Sequence, residues 1–320
     1  MRVAIGQISP VLLDRDATLG CVTEAIAEAA DRGAKLIAFG EALVPGYPVW
    51  LSRTGGAAFD SDVQKDIHAA YLESGVDIDA GHLGAVTSVA RDREIAVVVG
   101  VAERARDRGG HSLFCSAVTI SPAGEIASVH RKLVPTYEER LCWSHGDGAG
   151  LVSHGFLEPF VVGALNCWEN WMPLARAAMQ AQGVNLHVAI WPGSDANTRD
   201  ITRFVARESR SFVVSASGTM LAEDIPPGFP HRDRLLATLS DDGAIHNGGS
   251  AIAGPDGAWV VEPVVGTRGV VVADLDEQRI FRERQNFDPS GHYARPEVLR
   301  LMLDRTRQLP ITMTDSGPST

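Results

Sequence analysis

Three residues far apart in the 320-residue chain carry groups that could do chemistry together: Glu41, Lys132 and Cys167. Each closes a run with strand character: Glu41 ends KLIAFGE, Lys132 ends EIASVHRK and Cys167 ends FVVGALNC. Ligand sites in open α/β sheets gather beyond the carboxyl ends of the strands, so three strand-end side chains of complementary type can meet there. A cysteine sulfur is a nucleophile, a carboxylate tuned toward working pH is its general base, and an ammonium stabilises negative charge as it develops. Singly, each has a plainer use: a turn glutamate is solvated, a Glu41–Lys132 pair can be structural, and a free cysteine is a small buried hydrophobe. It is the coincidence of the three that points to covalent catalysis.

The stretch LNCWENWMPLAR (165–176) adds local physics to Cys167. Asn170 can cap a helix and Pro173 suits a first turn, which predicts a helix of roughly MPLARAAMQAQG. A thiol just before a helix N-terminus, with an ammonium nearby, is expected to titrate below the ordinary ~8.5. The other cysteines read as packing: Cys21 on an amphipathic helix, Cys115 alternating within SLFCSAVTI, Cys142 in LCW before a loop. Ten histidines offer no H-E-x-x-H or H-x-x-x-H pair, so no metal site is expected. There is no Walker A motif, G-x-S-x-G or complete G-x-G-x-x-G; HGDGAG (145–150) lacks the full fingerprint, and no cofactor is implied.

The elements that must position these groups are visible as apolar runs. VAIGQIS (3–9), KLIAFG (35–40), IAVVVGV (95–101), FVVGALN (160–166), NLHVAIW (185–191), FVVSASG (212–218) and GVVVADLD (269–276) read as strands, several covered on both faces. TLGCVTEAIAEAADRG (18–33) reads as a helix, with Leu19, Val22, Ile26 and Ala29 on one stripe and Gly33 as its stop. SPAGE (121–125) and GPDGA (254–258) are hairpin turns, so the sheets of this α/β chain are mixed. The polar, partly helical segment 53–80 interrupts the alternation and suits a pocket wall or an interface.

With 45% hydrophobic and 22% charged residues the chain is ordinary globular material. The absence of an internal linker or repeat predicts one domain over residues 1–300, followed by a tail, 301–320, that is partly disordered. A net charge of −11 disfavours a nucleic-acid surface. No apolar run approaches the ~18 residues of a membrane span, and MRVAIGQISP lacks the pattern of a signal peptide, so the expected location is cytoplasmic. Scattered cysteines without a C-x-x-C pair fit a reducing compartment.

Four blocks in order resemble the nitrilase superfamily, and within it the branch that acts on nitriles, cyanide-degrading enzymes included. They are EALVPGYPVW (41–50), HRKLVPTYEERLCW (130–143), LNCWENWMPLAR (165–176) and DPSGHYARPEVL (288–299). The resemblance implies an α-β-β-α sandwich with two mixed sheets and a catalytic Glu41–Lys132–Cys167 triad, with Glu139 matching a second glutamate beside it. It implies a small-molecule nitrile as substrate, attacked by Cys167 to give a thioimidate and then a thioester. It also implies self-association as a dimer or a larger spiral homo-oligomer. Tyr47, Trp50, Trp168 and Glu169, close in sequence to the triad, are candidates for contact with substrate; Trp171 is expected to pack. The alternatives are an amidase of the same superfamily, a cyanide hydratase or dihydratase, and a non-catalytic protein that keeps only the fold.

Overall fold

The computed structural model describes residues 1–240 and 243–311. The first half of the chain builds β1 (Arg2–Gln7), α1 (Arg15–Asp31), β2 (Leu36–Phe39), α2 (Trp50–Arg53), α3 (Asp62–Ser74), α4 (Gly84–Asp92), β3 (Ala96–Arg104), β4 (Leu113–Ile120) and β5 (Ile126–Arg131). There follow β6 (His154–Leu157), β7 (Phe160–Asn166), α5 (Pro173–Ala181), β8 (Leu186–Trp191), α6 (Asp195–Ser209), β9 (Phe212–Ser217) and β10 (Thr219–Leu221). The chain then adds α7 (Arg232–Leu236), β11 (Ala244–Ala253), β12 (Trp259–Val265), β13 (Gly269–Asp274) and α8 (Gln278–Arg284).

Among the described residues these strands form two sheets. One runs β13-β1-β2-β3-β4-β5; the other runs β10-β11-β9-β8-β7-β6, with β12 paired to β11. Both are mixed: β1, β2 and β3 are parallel, as are β7, β8 and β9, while β4, β5, β11 and β13 pair antiparallel. The expected hairpin turns lie between β4 and β5 and between β11 and β12. The expected α-β-β-α sandwich is the observed one.

Strand residues alternate between two apolar layers. Val3, Ile5, Leu36, Ala38 and Val98 of one sheet pack against Val162, Val188, Ile190 and Val214 of the other. Their neighbours Ala4, Ile37, Val97 and Val99 face outward onto α1 and α4, where Leu19, Val22, Ile26 and Ala29 form the predicted stripe. Asp14 caps α1, its carboxylate accepting from Ala17 N at 2.9 Å, and Gly33 follows at φ +82°. Across the other sheet, Ile201, Val205 and Ala206 of α6 and Ala175 and Met179 of α5 close the opposite side. At roughly 1.5–3 kcal/mol for each aliphatic side chain fully withdrawn from water, these layers are the main force holding the sandwich together.

The two sheets touch backbone to backbone at one end. A Cβ on Gly40 would come within 2.8 Å of Trp191 O and 2.7 Å of Gly218 N, so only glycine fits, and Glu41 N donates to Trp191 O at 2.9 Å. This clasp sits at the carboxyl ends of β2 and β8.

The interrupting segment 53–80 contributes α3, which buries Ile67 and Tyr71 and leaves a 370 Å³ hollow bordered by Gln64, His68, Leu141 and Cys142. Beyond α8 the described chain runs without helix or strand to residue 311, tied down where Arg307 Nη1 (3.0 Å) and Gln308 N (2.9 Å) both donate to Asp147. Residues 312–320 of the expected tail lie outside the described residues. Among the described residues no helix is long and apolar enough to cross a membrane.

Candidate active site

Glu41 follows β2, Lys132 follows β5 and Cys167 follows β7, and all three side chains turn into the same buried space. The Lys132 ammonium lies 2.8 Å from Glu41 Oε1 and 2.7 Å from Glu139 Oε2. Cys167 Sγ and one oxygen each of Glu41 and Glu139 are within 4.8 Å of one another. Four groups, the first separated from the next by 91 residues of chain, thus share one cluster.

Glu139 is held by its own turn. Its Oε2 accepts from Thr136 N at 2.6 Å in a reciprocal capping arrangement, and its Oε1 accepts from Tyr47 OH at 2.8 Å. Tyr47 is in turn set edge-on to Trp143 (5.7 Å) and His246 (5.5 Å), and Lys132 Nζ lies 5.9 Å from the centre of the Trp143 ring. Burial and the neighbouring carboxylates push the Tyr47 phenol well above its ordinary value, so it serves as a donor.

Cys167 opens a tight turn, Cys167–Trp171, at φ +46°. Side chains other than glycine seldom take this conformation, and a residue held there is presented sharply out of the strand, as nucleophiles often are. The sulfur is 5% exposed, and the Trp168 main-chain N–H donates toward it.

The electrostatics depart from expectation. Burial pushes the Cys167 thiol well above its ordinary range, Glu41 pushes it further, and Lys132 pulls it down without prevailing. The expected helix is present as α5 with Pro173 in its first turn, but Met172 is its cap and Cys167 is separated from it by the turn Cys167–Trp171. Asn170 is no cap: its side chain donates to Cys167 O at 2.8 Å and meets His187 Nε2 at 2.7 Å. The resting site therefore holds a neutral thiol and needs a base. Burial, against the pull of Lys132, pushes the Glu41 carboxyl up to about 7, which suits it for that role.

The candidate substrate contacts divide. Tyr47 and Trp168, the latter 52% exposed, border the cluster. Trp50 instead packs in the core, edge-on to Tyr71 at 4.8 Å. Glu169 is also placed differently: fully buried, it accepts from His130 Nε2 (2.9 Å), Leu133 N (2.6 Å) and Asn166 N (2.8 Å). It braces the residue after Lys132 against the residue before Cys167. Trp171, expected to pack, is 45% exposed.

That brace carries a prediction. His130, Leu133 and Asn166 direct three donors at Glu169, and they hold its carboxyl below the ordinary 4.5 despite the opposing effect of burial. Glu169→Gln turns an amide NH₂ against these donors and is expected to cost about 3 kcal/mol of stability near pH 7. A depressed folded-state value stabilises above the unfolded value and loses that contribution as pH falls through the folded one. Denaturation midpoints of wild type and variant should therefore converge below about pH 4.5; a gap independent of pH would assign the loss to shape alone.

One participant was missed from sequence. Cys115 on β4 places its thiol 3.4 Å from Glu41 Oε1, not in inert packing. A bulge between Thr119 and Ile120 slips the β4–β5 pairing by one residue, so that Lys132 N donates to Cys115 O at 2.7 Å. An unbulged hairpin would have put Phe114 there.

Known proteins resemble the chain over most of its length. The family profile described as carbon-nitrogen hydrolase matches residues 2–284. An aliphatic nitrilase of Rhodococcus rhodochrous is 33% identical, over 97% of this chain and 81% of its own. Nitrilase 2 of Arabidopsis thaliana is 32% identical, over 98% and 91%. An arylacetonitrilase of Aspergillus kawachii is 33% identical, over 94% and 91%. Among solved structures, an amidase from Nesterenkonia sp. AN1, captured after Michael addition of acrylamide at its active-site cysteine, superposes with a TM-score of 0.62. It is 20% identical over 89% of this chain and 97% of its own, which speaks to the fold alone. With the profile covering most of its length and nitrilases matching nearly all of it, the chain belongs to the carbon-nitrogen hydrolase family, in its nitrilase branch.

Proposed function

We propose that this protein is a nitrilase that converts an organic nitrile and two waters to a carboxylic acid and ammonia through covalent attachment at Cys167. The observation that carries the reading is the convergence of the Cys167 sulfur with the Glu41 and Glu139 carboxylates around the Lys132 ammonium. Full-length similarity to nitrilases supports it.

In the proposed sequence Glu41 removes the Cys167 proton as sulfur adds to the nitrile carbon. The nitrogen, gaining charge, is stabilised by Lys132 and the Trp168 main-chain N–H and takes up the proton, giving a thioimidate. Water, deprotonated by Glu41, adds to the thioimidate carbon; protonation of nitrogen and cleavage of the carbon–nitrogen bond release ammonia and leave a thioester. A second water, activated in the same way, releases the acid and restores the thiol. Glu139 also holds the Lys132 ammonium and is itself held by Tyr47. Because Glu41 works as a base and titrates at about 7, kcat/KM is expected to rise with pH through about 7.

A panel of aliphatic, aromatic and arylacetic nitriles, each beside its matched amide and with cyanide included, tests the reading through ammonia, acid and amide release. Ammonia and acid from nitriles, faster than from the amides, is the expected result. Turnover of amides alone would make the protein an amidase, and formate or formamide from cyanide alone would narrow it to a cyanide-degrading enzyme.

Self-association is part of the same proposal. Trp171, Leu174 and Phe204, on and beside α5 and α6, expose large apolar surfaces of the kind that mark contacts between subunits. Light scattering after size exclusion is expected to give a dimer or larger; a monomer at micromolar concentration would refute it.

A further inference from the structure

Among the described residues, Glu41 is partnered on one oxygen only: Oε1 takes the Lys132 ammonium at 2.8 Å and the Cys115 thiol at 3.4 Å, while Oε2, also buried, has no partner. A buried carboxylate oxygen without a donor is costly, and such exceptions call for a functional explanation.

Cys115 is fully buried and has two acceptors in reach, Glu41 Oε1 and, at 3.9 Å, Asn166 Oδ1. A thiol has one hydrogen to donate, and the nearer, charged carboxylate is the stronger acceptor. Lys132 alone would fix Oε1 at a point and leave the carboxylate plane free to rotate, exchanging its two oxygens. A second donor on the same oxygen, arriving from β4, fixes the plane.

We propose that Cys115 is a positioning residue that, together with Lys132, saturates Oε1 of Glu41 and so reserves Oε2 as the atom that receives the Cys167 proton. The inference rests on the reading of Glu41 as the base of a nitrilase. Sealed from solvent, Cys115 takes no part as a second nucleophile.

The test uses the full chain with Cys115→Ala, Cys115→Ser and, as a space-filling non-donor, Cys115→Val. Three quantities are measured with one nitrile: the rate of adduct formation at Cys167, kcat/KM against pH, and the melting temperature. The other groups facing Glu41 (Lys132 after β5, Glu139 from its turn, Cys167 after β7, and Tyr47 behind Glu139) are the same in every variant.

A donor to a carboxylate favours its charged form, so Cys115→Ala and Cys115→Val should move the acid limb of kcat/KM to higher pH. They should also slow adduct formation about tenfold, the scale of one lost hydrogen bond to a charged group. Serine, which keeps a donor, should restore the limb and most of the rate. If all three variants alter only stability or KM and leave the limb in place, Cys115 is packing and the inference is overturned. Rapid adduct formation by Glu41→Gln would instead remove the base assignment itself, an outcome separate from failure at Cys115.

Discussion

Cys167→Ala is expected to leave a folded protein with no detectable nitrile turnover and no substrate adduct by intact mass. The loss should be on the order of 10⁴-fold or more, the scale seen when a covalent nucleophile is removed. Folding should survive because alanine meets the same φ of +46° with no more bulk than cysteine, and the substitution removes only one sulfur atom from a cluster that keeps Ala189, Trp191 and Ile201. The wild type, quenched during turnover, should gain the mass of the acyl or imidoyl group on Cys167. Turnover that survives the substitution would sink the nucleophile assignment.

Why could these residues be picked from sequence at all? Lys132 follows β5, an edge strand whose IASVHR is apolar only in part, whereas Glu41 and Cys167 follow strands that are almost wholly apolar, as strands covered on both faces must be. FVVGALN coincides with β7 for this reason, and Cys167 is its next residue. Helix α1 was legible for a different reason: its apolar stripe and the Gly33 stop are local signals, although it starts at Arg15, ahead of the run read as helix. What sequence hid were relations set by register and by competition. The β3–β4 register sets Cys115 beside Glu41 and the bulge in β4–β5 sets it opposite Lys132, and no local signal marks either register. Glu169 and Trp50 lie near the triad in sequence, as Tyr47 does, yet three donors claim Glu169 and the core claims Trp50. The thiol offers the sharpest lesson. Proximity to an ammonium argued for a thiolate, but burial opposes the charged form and prevails, so the proton has to be moved by Glu41.

The same balance makes Lys132→Met the second large effect. Methionine keeps much of the buried stem volume and removes the ammonium that stands between Glu41 and Glu139, 2.8 Å and 2.7 Å away. Two carboxylates in one dry space, with oxygens within 4.8 Å of each other, then resist ionising together, and one of them holds a proton at neutral pH. Two losses combine: the donor that meets the developing nitrogen charge, worth about 10²-fold or more, and the fraction of Glu41 available as base. Turnover at pH 7 should fall at least 10²-fold, and what remains should rise with pH later than in the wild type, whose limb lies near 7. Stability carries the matching sign. A carboxyl whose folded-state value is raised supports the fold while protonated and loses that support as pH rises through the raised value. The variant should therefore melt progressively lower than the wild type as pH increases. Near-normal turnover with an unmoved limb would reduce Lys132 to a structural ion-pair partner, and the charge needed at the nitrogen would have to come from main-chain N–H groups alone.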